Sequence, residues 1–180
     1  TDRPVQIIMA GKAHPNDEAG KMMIQRMVEF SRRDDIQGRA VFLEDYDLVL
    51  AQHLAAGIDV WINNPRPPAE ACGTSGMKML VNGGLHCSTL DGWWPEAYSL
   101  EVGWAIGGER NHHGEYDDED AQALYELLEK FIAPEFYDRD AAGIPRAWTE
   151  RVRRSMTRLT EYFSSDRMVR EYVEQAYLPA

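Results

Sequence analysis

The chain is short of cysteine, of base and of long apolar runs, and each shortage closes off a class of protein. Two cysteines, Cys72 and Cys87, in 180 residues cannot build the disulfide framework of a small secreted scaffold. Neither lies in a Cys-x-x-Cys pair, and no Cys/His spacing resembles a zinc site. Two free thiols suit a reducing cytoplasm, although spacing alone leaves a disulfide open. Nineteen bases stand against 30 acids, a formal net charge of −11. Binding to nucleic acid through phosphate contacts wants the opposite sign, and an anionic membrane surface repels such a chain. A local pocket for a small anion stays open. No apolar run approaches the roughly 20 residues of a membrane span, and no repeat, low-complexity segment or signal peptide is visible. An initiator Met is also missing: Thr1-Asp2-Arg3-Pro4 leads straight into an apolar run. The expectation is a processed chain or a piece of a longer one.

What is present reads as an ordinary globular composition, 44% hydrophobic and 27% charged. Short β-rich apolar runs alternate with helical patterns. Val5–Ala10 reads as a buried strand, followed by Ala40–Leu43, Val60–Ile62, Leu85–Leu90 and a weaker Gly103–Gly107. Asn16 or Asp17 can cap a helix running to Ser31 with Met22, Met23, Met27 and Phe30 on its stripe. Further helices are expected over Leu48–Ala56 and Ser75–Asn82, and Asp91–Trp94 reads as a loop. The remainder is helical: Asp118–Phe131, Pro145–Tyr162 and Ser165 or Asp166 to Tyr177. This order argues for an α/β layer fold with a mostly parallel sheet. Ligands of such folds sit beyond the carboxyl ends of the strands, which directs attention to the turns after Leu43, Ile62 and Leu90.

The richest of these is Glu70 to Lys78. Gly73-Thr74-Ser75-Gly76 lies where a turn enters a helix, and free backbone N–H groups with the helix dipole favour an anion there. Glycine-rich turns before helices are common, so from the residues alone a phosphate site and a plain tight turn are evenly matched. Lys78 stands among Met77, Met79, Leu80 and Val81. A lysine in an apolar pocket loses its proton more easily and suits covalent attachment to an aldehyde cofactor. A lysine that snorkels to solvent is the more frequent case.

The whole stretch Glu70-Ala71-Cys72-Gly73-Thr74-Ser75-Gly76-Met77-Lys78-Met79-Leu80-Val81-Asn82-Gly83 closely resembles the pyridoxal-phosphate segment of α-glucan (glycogen, starch or maltodextrin) phosphorylases. Thr89-Leu90-Asp91-Gly92-Trp93-Trp94 resembles the shorter bacterial and archaeal branch. Gly11-Lys12-Ala13, Phe42-Leu43-Glu44-Asp45-Tyr46 and Ala51 sit upstream in the expected order, and Phe163 to Tyr172 is similar to the family's C-terminus. The resemblance covers nearly the whole chain. It implies the Rossmann-like C-terminal half of a two-domain, GT-B type glycosyltransferase. Residues 1–115 would form the cofactor- and sugar-binding domain without its first strand–helix units, and residues 116–180 would be helices packed on it.

The resemblance also implies roles. Lys78 matches the lysine that holds pyridoxal 5′-phosphate covalently. Thr74, with the backbone around Gly73 and Ser75, matches groups that hold the cofactor phosphate, and Tyr46 an aromatic near its ring. Glu70 matches the carboxylate that grips sugar hydroxyls, with Ala71, Cys72 and Gly73 giving backbone contacts to the same glucose. The family often has Ser where Cys72 stands; a backbone contact survives that change. The implied reaction is reversible phosphorolysis of α-1,4-glucan to α-glucose 1-phosphate with retention, in which the cofactor's phosphate shuttles a proton and Lys78 is an anchor. The family's remaining cations lie in a basic stretch upstream of Thr1, so phosphorolysis is not expected of this chain alone. Where C-terminal helices would meet a missing N-terminal domain, uncovered apolar faces could drive self-association.

Two other readings compete. A nucleotide-sugar glycogen or starch synthase carries Glu-x7-Glu at this loop; here Glu70 keeps the spacing but position 78 is Lys. A non-catalytic carbohydrate-binding fragment is the third. Trp93 and Trp94 could stack on a sugar, though packing against a helix is at least as good a reading. Asp91 could fix a loop through hydrogen bonds. Lys12, His14, His53, His86 and the pair His112-His113 are read as solvated or structural, and Arg151, Arg153, Arg154 and Arg158 as a solvated face or a domain contact.

Overall fold

The structure is a computed structural model that describes residues 2–108 and 116–178. Within them five strands alternate with helices, all strand pairs are parallel, and the chain divides into two compact units, residues 1–54 and 55–180. The parallel α/β reading holds. The pairing, however, falls into two sheets: β1 (Ile7–Ala10) with β2 (Ala40–Leu43), and β3 (Val60–Asn63), β4 (Leu85–Thr89) and β5 (Gly103–Ile106) in sequence order.

In the first unit, Asp17 caps α1 (Glu18–Ser31) by accepting from the Gly20 N–H at 2.9 Å. The inward residues of α1 are Ile24, Met27, Val28 and Ser31, spaced as one helical face. Met22 and Met23 stand outside it, and Phe30 is also exposed, so the expected stripe is displaced. β1 is not buried either: Ile7 and Ile8 are 41% and 44% exposed. A two-stranded sheet with one helix covers only part of its apolar surface. In the turn after β2, Asp45 takes a left-handed backbone (φ 54), tolerated by Asp. Asp47 then accepts from the Leu50 N–H at 2.8 Å at the start of α2 (Leu48–Gly57).

The second unit is built around β4. Each of its five residues is buried, as a central strand covered on both faces requires. Side chains alternate between faces. Leu85 and Cys87 join a core with Trp104, Ile106, Ile132 and Trp148, drawn from β5 and the C-terminal helices. His86 and Ser88 alternate to the opposite face, where His86 meets α3 (Thr74–Val81) at Gly76 and the Trp93-Trp94 pair. There Leu80, Trp93, Trp94, Ala97, Val102 and Leu159 form a second core. Both indoles are buried, with Trp94 donating to the Trp104 carbonyl at 3.0 Å. They are packing residues, with no face free to stack on a sugar.

Beyond the expected loop, α4 (Trp94–Ala97) adds one turn. The helix expected over 118–131 is longer: α5 (Asp117–Leu127) runs through a π-helical turn (Leu128–Ile132) into α6 (Ala133–Tyr137). Pro134, which has no N–H to donate to the preceding turn, falls just after the widened turn. α7 (Arg146–Leu159) stops before Tyr162, and Ser164 opens α8 (Ser165–Tyr172) by accepting from Arg167 N–H at 3.2 Å. A second π-helical turn, Val173–Tyr177, follows. The arginines of α7 are ion-paired within the unit. Arg151 forks onto Glu135 and lies over the Trp104 ring, while Arg154 and Arg158 share Glu101.

Candidate functional site

The carboxyl ends of β3 and β4 place three polar residues together. Asn63 closes β3, and Ser88 and Asp91 lie at and just beyond the end of β4. Between the strands the chain runs through Pro65-Arg66-Pro67-Pro68 to Glu70 and enters α3 at Gly73. Thr89 donates its hydroxyl to the Pro65 carbonyl at 2.9 Å, tying the start of this loop to β4. Arg66 forks onto Asp117 in the first turn of α5. Asp117, Asp118, Glu119 and Asp120 crowd the first turn of α5, where the helix dipole favours carboxylates; Glu115 and His112-His113 lie outside the described residues.

Glu70 is half-buried and held at both ends. Its Oε2 accepts from Asn63 Nδ2 at 2.6 Å, and its N–H donates to Asp91 Oδ2 at 2.9 Å. Asp91 also accepts from the Gly92 N–H at 2.9 Å, and the Trp93 N–H donates to the Cys72 carbonyl at 2.9 Å. The loop-fixing role expected of Asp91 is therefore present. Gly92 (φ 59) is required here. A Cβ would sit 2.5 Å from the Cys72 carbonyl oxygen, and backbone cannot yield as a flexible side chain can. We expect Gly92→Ala to lower stability by about 1–3 kcal/mol, read by urea unfolding, and to speed hydrogen exchange at the Glu70 and Trp93 amides. Unchanged exchange at those amides would contradict the clamp.

Gly73 precedes α3 in the left-handed conformation (φ 87) and no side chain caps the helix. The Glu70 carboxylate lies against it: a Cβ on Gly73 would meet Glu70 Oε1 at 2.8 Å. On α3, Gly76, Met79 and Leu80 face inward. Thr74 and Lys78, four residues apart, share the exposed face. Lys78 is therefore a surface lysine in this unit, and Ser75 is half-buried. Ala71 and Cys72 are exposed on the loop. Tyr46, half-buried, and Lys12, exposed, belong to the first unit.

Both cysteines are free thiols. Burial pushes the Cys87 thiol up to about 12, so it stays protonated and inert. His86 is 3% exposed, with neither ring nitrogen partnered, and burial holds its pKa down to about 4. Among the described residues no group of His, Cys, Asp and Glu could hold a metal ion, and no helix is long and apolar enough to cross a membrane. Asn63 and Ser88 escaped sequence reasoning. The available signal was positional: both end strands at the edge where ligands bind.

The chain is similar to known proteins along nearly its whole length. A glycogen phosphorylase of Aquifex aeolicus is 47% identical over 98% of this chain, and one of Mycobacterium tuberculosis 49% over 99%. A maltodextrin phosphorylase of Thermococcus litoralis is 43% identical over 99% of the chain. The chain spans only 21–25% of the length of these relatives. The family described as "Carbohydrate phosphorylase" matches residues 2–126, and with that match the chain belongs to the carbohydrate phosphorylase family.

Proposed function

We propose that the chain is part of an α-glucan phosphorylase that interconverts α-1,4-glucan plus inorganic phosphate and α-glucose 1-phosphate, with pyridoxal 5′-phosphate as cofactor. The observation that carries this is the Glu70–Lys78 segment: a clamped carboxylate against Gly73, an uncapped helix start, and Thr74 and Lys78 on one exposed face. This donor set fits the cofactor. An uncapped N-terminus with a neighbouring hydroxyl suits a phosphate, and an exposed amine one turn along suits an aldehyde.

When bound, the cofactor supplies a phosphate group for proton exchange with the substrate phosphate. The chain's own residues bind and orient. Lys78 anchors the cofactor. Thr74 and the amides after Gly73, including that of Ser75, hold its phosphate. Glu70 accepts from sugar hydroxyls while the backbone of Ala71, Cys72 and Gly73 contacts the same glucose. With the dipole of α3 directed at two phosphates, electrostatic compensation is partial; further cations belong to a longer protein. We therefore assign residues 1–115 to a Rossmann-like ligand-binding domain of a two-domain enzyme and 116–180 to helices packed on it. The shared core of Leu85, Cys87, Ile132 and Trp148 supports the packing. Free thiols fit a cytoplasmic protein. Met168, Val169 and Tyr172 are exposed on α8 and are the surface offered to a missing domain or a second copy.

Ligand-observed NMR on the purified chain separates this from the synthase reading. α-Glucose 1-phosphate should bind and a nucleoside-diphosphate glucose should bind no better, because Lys78 stands where the synthase pattern has a carboxylate. The chain alone should release no glucose 1-phosphate from maltodextrin. Preference for the nucleotide sugar would sink the proposal, and binding of maltodextrin alone would favour a carbohydrate-binding fragment.

A further inference from the structure

We propose that Asn63 is a positioning residue for the sugar site: its side-chain amide sets the orientation of the Glu70 carboxylate without touching the ligand. The inference rests on the reading of Glu70 as the sugar-binding carboxylate. Its basis is the direction of each hydrogen bond in the chain from β3 to β4.

Ser88 is fully buried, and its hydroxyl donates to the Thr89 carbonyl at 2.9 Å. Its proton is thus committed, and toward Asn63 it can only accept. Asn63 Nδ2 lies 3.4 Å from Ser88 Oγ and 2.6 Å from Glu70 Oε2. Both neighbours are acceptors, which fixes the amide with its NH2 toward them. One proton of that NH2 goes to the carboxylate, in a charge-assisted bond of the stronger kind. The other points to a hydroxyl locked by β4. The carboxylate is therefore referenced to two paired strands and not merely to its own loop.

The same contact divides the two carboxylate oxygens. Oε2 is occupied by Asn63. Oε1 accepts no hydrogen bond among the described residues and lies against Gly73, at the mouth of α3. Asp91, by holding the Glu70 N–H, fixes where the side chain starts; Asn63 fixes where it ends. Without the amide, the carboxylate can turn about its side-chain torsions, and the oxygen presented at Gly73 is no longer selected. Asn63→Asp is nearly the same size but sets a second acid against Glu70. Asn63→Ser removes the donor reach without adding charge.

The test titrates the purified chain with α-glucose 1-phosphate and, separately, with inorganic phosphate, for the parent, Asn63→Asp, Asn63→Ser, Glu70→Gln and the Asn63→Asp/Glu70→Gln double variant. Both Asn63 variants should lose at least about tenfold in affinity for the sugar phosphate, while inorganic phosphate binds within about twofold of the parent. The double variant should be no weaker for the sugar phosphate than Glu70→Gln alone, since Asn63 acts only through Glu70. Asn63 variants that bind glucose 1-phosphate like the parent, while Glu70→Gln does not, overturn the positioning role and leave the reading of Glu70 intact. Equal loss of both probes together with a lowered melting transition overturns it in favour of a structural role. A parent chain without affinity for glucose 1-phosphate, or a Glu70→Gln variant with full affinity, removes the reading of Glu70 and the positioning role with it.

Discussion

Lys78→Ala should abolish the borohydride-fixed adduct that the proposed function expects the parent chain to form with pyridoxal 5′-phosphate, and Lys78→Arg should abolish it too while keeping the positive charge. The chain has four lysines, so the result is sharply diagnostic. Lys21 is paired with Glu18 at 2.7 Å and Lys130 with Glu126 at 3.3 Å, though such exposed pairs hold their amines only weakly. Selectivity must therefore come from position. Thr74 and Lys78 are separated by one helical turn, about 6 Å of rise, on the exposed face of an uncapped helix. A phosphate held at the helix start keeps the aldehyde of the same molecule close to Lys78 and raises its effective concentration there. None of the other three lysines adjoins such an anion site in sequence. Peptide mapping after reduction should find the label on Lys78, and inorganic phosphate should suppress it by occupying the helix start. Labelling of Lys12, Lys21 or Lys130 to the same extent in Lys78→Ala would show only general amine reactivity.

The parts of the fold legible in the sequence were those carried by short β-rich runs and by caps. Ala40–Leu43 matches its expected strand residue for residue, Asp17 caps α1 as expected, and the last helix starts close to the expected Ser165-Asp166 cap but is capped by Ser164 instead. What failed were statements about faces. Met22, Met23 and Phe30 satisfy a helical spacing, yet Ile24, Met27 and Val28 turn inward, because a stripe of apolar residues wider than the partner surface does not say which edge is covered. The π-helical turn before Pro134 was invisible for a related reason: periodicity reads one helix, and the missing N–H of proline acts on geometry only once the turn is built. At the site, the glycine-rich turn, Glu70 and Asp91 stood out because their chemistry is local. Asn63 and Ser88 did not. They are 25 residues apart, and only the register of β3 against β4, where Asn63 pairs with Ser88, brings them together beneath Glu70.

His86, read from sequence as a bland structural residue, gives the second large effect. The second unit should lose about 3 kcal/mol of stability between pH 6.5 and pH 4. Its imidazole is wedged among Trp93, Trp94 and Gly76: the ring centroids lie 5.2 and 4.6 Å from the two indoles, and a Cβ on Gly76 would meet the ring at 2.5 Å. Burial alone lowers its pKa from 6.5 to about 4. The sign follows from linkage. A base whose folded pKa is depressed binds its proton more readily when unfolded, so protons pull the chain toward the unfolded state. Its contribution is complete above pH 6.5, falls as pH drops toward 4, and changes no further below that. The paired carboxylates act in a separate window. Glu101 and Glu150 have folded pKa values held below the ordinary value of 4.5 by their arginine partners, so whatever they contribute is present above pH 4.5 and lost below it. Urea unfolding followed by tryptophan fluorescence at pH 7.5, 6.5, 5.5 and 4.5 samples the His86 window above that of the carboxylates. His86→Leu, similar in size and unable to titrate, should flatten the profile down to pH 4.5. Its stability at pH 7.5 should remain within about 1.5 kcal/mol of the parent, because two unpartnered buried nitrogens leave as the ring contacts are lost. A parent profile already flat between pH 7 and 5 would mean that His86 reaches water or a partner in solution, and the acid sensitivity of the sheet beneath α3 would then have no source in this residue.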